Sequence, residues 1–211
     1  NITGSASMRL VEGLEATMSA NYIHSESDNL VQGGYDGQNP VQQTIWAGRN
    51  VNLPALADYN SLPLSPASTP SGGTPLNWNT RYQNNPYWLQ DNNLNEYQKD
   101  RLIGNVKLAY QFTDWLSAYV RTGVDTWSSR TAEKTAVGTN GLTDGGFGLQ
   151  NRNFIEANHF GMITANKTFG DFSVSLSVGG NIMQQQYTRV GGSIPGLELP
   201  GVYSVANLKS G

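Results

Sequence analysis

DRLIGNVKLAYQF, residues 100–112, decides the fold. Its even positions are Leu102, Gly104, Val106, Leu108, Tyr110 and Phe112 after the opening acid, while its odd positions include Arg101, Asn105, Lys107 and Gln111. A period of two puts one oily and one wet face on a strand. Three further segments repeat it. Leu116, Ala118, Val120 and Val124 oppose Ser117, Arg121 and Asp125; Phe172, Val174, Leu176, Val178 and Ile182 oppose Ser173, Ser175, Ser177 and Asn181; Leu14, Ala16, Met18, Ala20 and Tyr22 oppose Glu15, Thr17, Ser19 and Asn21. A soluble sandwich strand has a typical length of about 5 to 6 residues, whereas a tilted strand crossing a bilayer needs about 9 to 11. The length of these segments predicts an all-β protein, an antiparallel transmembrane β-barrel.

Working outward, short turns alternate with long polar connections. Asn1–Met8 reads as a strand, so the chain is expected to begin inside a domain; a tight connection at Val11, Glu12 and Gly13 leads to a strand from Leu14 to about His24. Thr113–Asp114–Trp115 and Phe169–Gly170–Asp171 make two more tight turns, into strands from Leu116 to about Trp127 and from Phe172 to about Gln186. The strand from Phe154 to Thr168 has apolar residues on both parities, and its oily face is not assigned from sequence. A last strand is expected to start near Val202. The long connections fall at about 25–99, which includes the low-complexity SLPLSPASTPSGGTPL, at about 128–153 and at about 187–201. A structureless connection as long as the first does not suit a compact soluble domain, whereas extracellular loops of barrels reach such lengths. The short turns are then expected to face the periplasm. Tyr110, Phe112, Trp115, Phe169 and Phe172 cluster beside them, as an interfacial aromatic girdle would. Six to seven strands with two open edges would leave backbone groups unpaired in lipid, so residues 1–211 are expected to form part of one larger barrel domain.

Composition excludes several classes. With 13 basic and 16 acidic residues in 211, no basic run marks a nucleic-acid binder. No apolar stretch of about 18 residues is present, so no transmembrane helix is expected. Cysteine is absent, which removes disulfides, thiolate metal sites and cysteine nucleophiles. The two histidines, His24 and His159, have no sequence motif pairing them with a nucleophile and an orienting carboxylate, and GGFGLQ from Gly145 lacks the third glycine of a phosphate cradle; no catalytic, cofactor or metal site is assigned. Asp28, Asp36, Asp91 and Asp100 lack the spacing of a calcium loop and read as solvated acids. The aromatics Trp46, Trp78, Tyr82, Tyr87 and Trp88 are candidates to stack on sugars or anchor a protein lid, although self-packing as the loop's own core is the preferred reading. Arg101, Lys107, Arg121 and Asp125 share the polar parity and are expected to face the lumen, because a Lys or Arg on the lipid face costs about 2–4 kcal/mol at the midplane.

YDGQNPVQQTIWAGRNVNL (residues 35–53) and NWNTRYQNNPYWLQDNNLNEYQKDRLIGNVKLAYQFTDWLSAYVRTGVD (77–125) resemble the SusC/RagA family of TonB-dependent outer membrane transporters of Bacteroidetes. NKTFGDFSVSLSVGGN (166–181) and PGVYSVAN (200–207) fit the same region. The resemblance implies a barrel of about 22 strands with a plugged lumen, import of glycan or peptide fragments under a SusD-type lipoprotein lid, and energy relayed through TonB. No plug domain or TonB-contacting segment is found in these residues, so TonB would act through a missing plug region. A structural or secretion-associated barrel component, and a secreted glycan-binding β-sandwich, are the alternatives.

Overall fold

The computed structural model describes residues 1–66, 72–79 and 81–210. Six strands follow one another in a single antiparallel sheet in chain order: β1 (Ile2–Val11), β2 (Leu14–Ser27), β3 (Asn95–Thr113), β4 (Leu116–Thr135), β5 (Gly146–Phe169) and β6 (Phe172–Ile194). Each strand is at least ten residues long. Chain order is the arrangement that tight hairpins produce, and three two-residue turns join β1 to β2, β3 to β4 and β5 to β6. Gly13 opens the second strand with φ of 77°, and a Cβ there would meet the Gln111 carbonyl oxygen at 2.9 Å. Only glycine fits that turn without strain.

The chain divides into two compact units. The first comprises Asn1–Ser25, Lys99–Ser129 and Arg152–Arg189 and contains all three short turns. Its sheet is inside out for a water-soluble protein. Leu102, Val106, Leu108 and Phe112 are exposed on β3, as are Val174, Leu176, Val178 and Ile182 on β6, while Arg101, Asn105 and Lys107 are half-buried. The facing of β5 is settled by its neighbours. Phe160 packs on Tyr119 and Phe154 stacks on Trp127, which puts both on the polar face, while Ile155 and Ile163 are exposed on the other.

The second unit comprises Glu26–Gln98, Arg130–Asn151 and Val190–Gly211. A small apolar core of Ala132, Phe147, Ile194 and Leu197 is joined by Leu149 and Tyr203. Six amides of the unit are also buried: Asn39, Gln43, Asn84, Asn85, Asn93 and Asn95. The long connection has structure of its own. It carries two 3-10 turns (Leu53–Ala57 and Tyr59–Ser61) and the helix α1 (Pro86–Asn92). Asn85 caps α1 by accepting from the Tyr87 and Trp88 N–H groups, and Pro86 occupies the first helical position, where a missing N–H costs nothing. Tyr59 donates to Asp91 at 2.7 Å, and this bond holds the phenol above its usual range.

Two expectations are corrected. No strand forms near Val202, so the described residues contain six strands and not part of a seventh; Leu197 and Leu208 make only an isolated bridge. The Asn207 side chain is the cause: it donates to the carbonyls of Leu199 and Val202 at 2.8 and 2.7 Å and accepts from the Leu199 N–H at 3.0 Å, so these groups bond to a side chain and not to a ladder. The connections around 128–153 and 187–201 are also shorter than expected, because β4, β5 and β6 run on to Thr135, from Gly146 and to Ile194. Ladder bonds join backbones and continue after the oily alternation stops. Gly145, at φ 70°, closes the shortened β4–β5 connection; a Cβ there would meet the Thr135 oxygen at 2.7 Å. Residues 67–71 of the low-complexity stretch, Thr80 and Gly211 lie outside the described residues.

Candidate functional site

Two sites carry chemistry, one in each unit. In the first, the polar face of the sheet holds ring and ion pairs. Arg101 donates from Nε and Nη2 to both carboxylate oxygens of Asp125 at 2.8 and 2.5 Å, the planar fork that Arg forms and Lys does not. Lys107 lies 4.7 Å over the ring of Tyr119 and Arg121 lies 5.9 Å over Phe160. The contacts of these four residues run across the polar parity of β3, β4 and β5. The sequence did not single out the rings among them: Trp127 stacks on Phe154 at 5.7 Å and also meets Tyr187, with Lys99 4.5 Å above its ring. Tyr119, Trp127, Phe154 and Tyr187 sit at polar parity within strands, and aromatic residues at polar positions of a barrel strand are the signal that would have found them.

On the opposite face, the apolar band ends in a polar cluster. Tyr22 donates to Asp100 at 2.5 Å and the His24 Nδ1 lies 2.7 Å from the same oxygen. At the other end, Tyr110 meets Phe112 edge to face, and Lys167 lies 5.6 Å over Trp115 and 5.7 Å over Phe169. Amphipathic rings at the margins of an oily band are what an interface between hydrocarbon and water selects.

A groove of about 540 Å³ lies on the apolar sheet face of the first unit, among Ala6, Met18, Ala20 and Val106. An aromatic pocket in the second unit measures about 400 Å³ and is lined by Tyr35, Trp46, Trp78, Tyr82, Gln42 and Gln83 among others. Its rings differ in freedom. Tyr35, Trp46 and Tyr82 are 87%, 64% and 67% exposed, and the Arg81 guanidinium lies 5.4 Å over one face of Tyr82. Trp78 is pinned by a 2.7 Å bond from its indole N–H to the Gln43 carbonyl. The five aromatics singled out in the sequence therefore separate: Trp46, Trp78 and Tyr82 converge on one pocket, whereas Trp88 is buried in α1 and Tyr87 lies beside it, outside the lining.

Gln43 builds the wall. Its side chain donates to the carbonyls of Gly37 and Asn39 at 2.8 and 3.1 Å and accepts from the Asn84 N–H at 2.8 Å, joining segments forty residues apart in sequence. It is 1% exposed. Gln43→Ala leaves all three partners without this side chain and is expected to destabilise the pocket unit by about 1–3 kcal/mol; limited proteolysis between residues 30 and 90, compared with the wild type, measures it. The four aspartates do not converge: Asp36 lines the pocket, Asp91 accepts from Tyr59, Asp100 belongs to the cluster with Tyr22 and His24, and Asp28 lines a different recess.

No family model and no curated protein matches the sequence. Solved structures match the fold. The chain is similar to a chain of the RagAB peptide transporter, with a TM-score of 0.66 at 14% identity over 97% of this chain. It is similar also to a chain of the RagAB peptide importer in its closed-closed state, with a TM-score of 0.65 at 14% identity over 99%. It spans 22% and 23% of those chains, less than a quarter of their length. The fold is thus shared with part of each of those chains, its six strands following one another in chain order.

Proposed function

We propose that these residues form a section of the wall and outer loops of a SusC-like transporter importing nutrients across the outer membrane. The observation that carries this reading is the inversion on β3, where Leu102, Val106, Leu108 and Phe112 are exposed while Arg101, Asn105 and Lys107 are half-buried. From Leu102 to Phe112 the oily parity covers about 33 Å of strand at ~3.3 Å per residue, which at a tilt of about 40° is the roughly 25 Å band of an outer membrane barrel. A β-sandwich would cover that face with a second sheet.

In this reading the short turns face the periplasm, Arg101, Lys107, Arg121 and Asp125 line the lumen, and the long connections face outside. The exposed rings of Tyr35, Trp46 and Tyr82 contact a glycan or peptide fragment or a SusD-like surface lipoprotein. Solute passage is the activity, with no reaction catalysed, and TonB supplies energy through a plug carried elsewhere in the polypeptide. Trp46→Ala is expected to weaken binding of the oligomeric ligand or lid about tenfold or more, as loss of an aromatic anchor does, while the unit stays folded; titration of the purified transporter reads it.

The reading as a whole is tested by disrupting the gene, fractionating the membranes and following uptake of labelled oligosaccharides and peptides. Loss of uptake of one class, with the protein in the outer membrane fraction, is the expected result. Intact uptake combined with failed secretion would favour a barrel component of a secretion assembly, and a soluble product would overturn both.

A further inference from the structure

The outermost row of polar-face residues in the first unit is cationic. Thr168 bonds to Ser173, Thr164 to Ser177 and Gln185 to Glu156, at 3.0, 3.0 and 2.7 Å. One unbroken antiparallel register satisfies all three contacts. The same register sets Phe154 opposite Tyr187 and Arg152 opposite Arg189, and it still holds where Gly191 lies against Gln150. Across β4, the stacking of Phe154 on Trp127 sets Ser129 beside Arg152, and Lys99 reaches back over Trp127 from β3. Lys99, Arg152 and Arg189 therefore line up across the sheet, one step beyond a shelf of three rings: Trp127, Phe154 and Tyr187.

Two arginines directly opposite on one face have Cα atoms only about 5 Å apart, and like charges in that relation destabilise a sheet. The polar side of the strands offers no relief. Among the described residues neither Arg152 nor Arg189 makes an ion pair or a side-chain hydrogen bond. Within the first unit the polar-face carboxylates already have partners, Asp125 in Arg101, Glu156 in Gln185 and Glu15 in Ser7. Arg189 is exposed and Tyr187 is 55% exposed, so the row is open to a ligand.

We propose that Arg152 and Arg189, with Lys99, bind the acidic groups of an anionic oligosaccharide, and that Trp127, Phe154 and Tyr187 stack on the apolar faces of its sugar rings. This rests on the import reading and names the charge class of the cargo. Two guanidinium forks about one strand spacing apart match a single carboxylate or sulfate, each fork presenting paired N–H donors. Lys99, two strands from Arg152 at roughly 4.8 Å per strand, meets the acidic group of a neighbouring sugar. A neutral glycan would use the rings and leave the arginines unmatched.

The test is calorimetric titration of the full transporter, purified in detergent, with a uronate oligosaccharide and with a neutral oligosaccharide of equal length. The uronate is expected to bind more tightly, with affinity falling as salt rises. R152Q/R189Q is expected to weaken uronate binding about tenfold or more, as the loss of charge-assisted hydrogen bonds does, and to leave the neutral affinity unchanged. Y187A should weaken both ligands, and circular dichroism confirms that each variant is folded. Equal affinity for the two ligands, or wild-type uronate binding by the double variant, overturns the proposal. So does a double variant whose only change is faster proteolysis elsewhere in the polypeptide, which would mean that an acidic segment of the protein itself neutralises the pair. Binding of the neutral ligand alone would sink this inference and leave the import reading standing; binding of neither ligand, with uptake intact in the disrupted strain, would sink both.

Discussion

Val106→Arg should abolish assembly of the protein in the outer membrane, while Asn105→Arg, one residue away, should leave it in place. Val106 stands 47% exposed on the oily parity of β3. Beneath a bilayer its replacement by arginine costs about 2–4 kcal/mol near the midplane, comparable with much of the 5–15 kcal/mol that separates folded from unfolded for a typical domain. Asn105 points the other way and donates to the Ser19 hydroxyl at 2.6 Å. An arginine there loses one bond and remains among polar neighbours. Heat-modifiable migration of the membrane-extracted protein on a gel distinguishes the two, and equal loss from both variants would refute the assignment of faces and with it the membrane reading.

Trp88→Ala is expected to be the most damaging change in the second unit, by about 3–5 kcal/mol. The side chain is 9% exposed, and its neighbour Leu89 is 1% exposed. Together they anchor α1 in a unit with few other large apolar groups in its interior, so the cavity left by the indole has little to collapse onto it. The expected readout is loss of protection of residues 53–95 in hydrogen exchange, with the strands of the first unit still protected. Trp46→Ala, on the open side of the same unit, should leave that protection unchanged. A Trp88→Ala protein with wild-type exchange would mean that the amide network alone holds the loop.

The strands were legible because their chemistry repeats at a fixed period, and one period of DRLIGNVKLAYQF is enough to assign two faces. The same period hid the cationic row. Arg152 and Arg189 lie far apart in sequence, inside stretches read as loops, and the near-balance of 13 basic and 16 acidic residues conceals a charge separation that exists only once residues are sorted by face. The absent strand near Val202 had a similar cause: Val202 and Val205 have strand propensity, but the outcome was decided by the Asn207 amide, whose two donors and one acceptor found local carbonyls and an N–H first. The aromatic pocket was half legible. Residue type marked Trp46, Trp78 and Tyr82, but nothing local distinguishes an indole that is buried in a helix, as Trp88 is, from one left open. Tyr35, the most exposed ring of the pocket, was missed because it stands alone in a glycine-rich segment.

The two-residue alternation of the sheet also constrains how its gene can change. A codon gained or lost inside β3 would exchange every side chain beyond it between the two faces, whereas two codons would only lengthen the strand, and substitutions that keep oily with oily and wet with wet would pass unnoticed. Descent under such a rule preserves strand lengths and a two-letter pattern while the letters themselves drift. A rule of that kind lets a fold be alike at 14% identity over 97% of this chain.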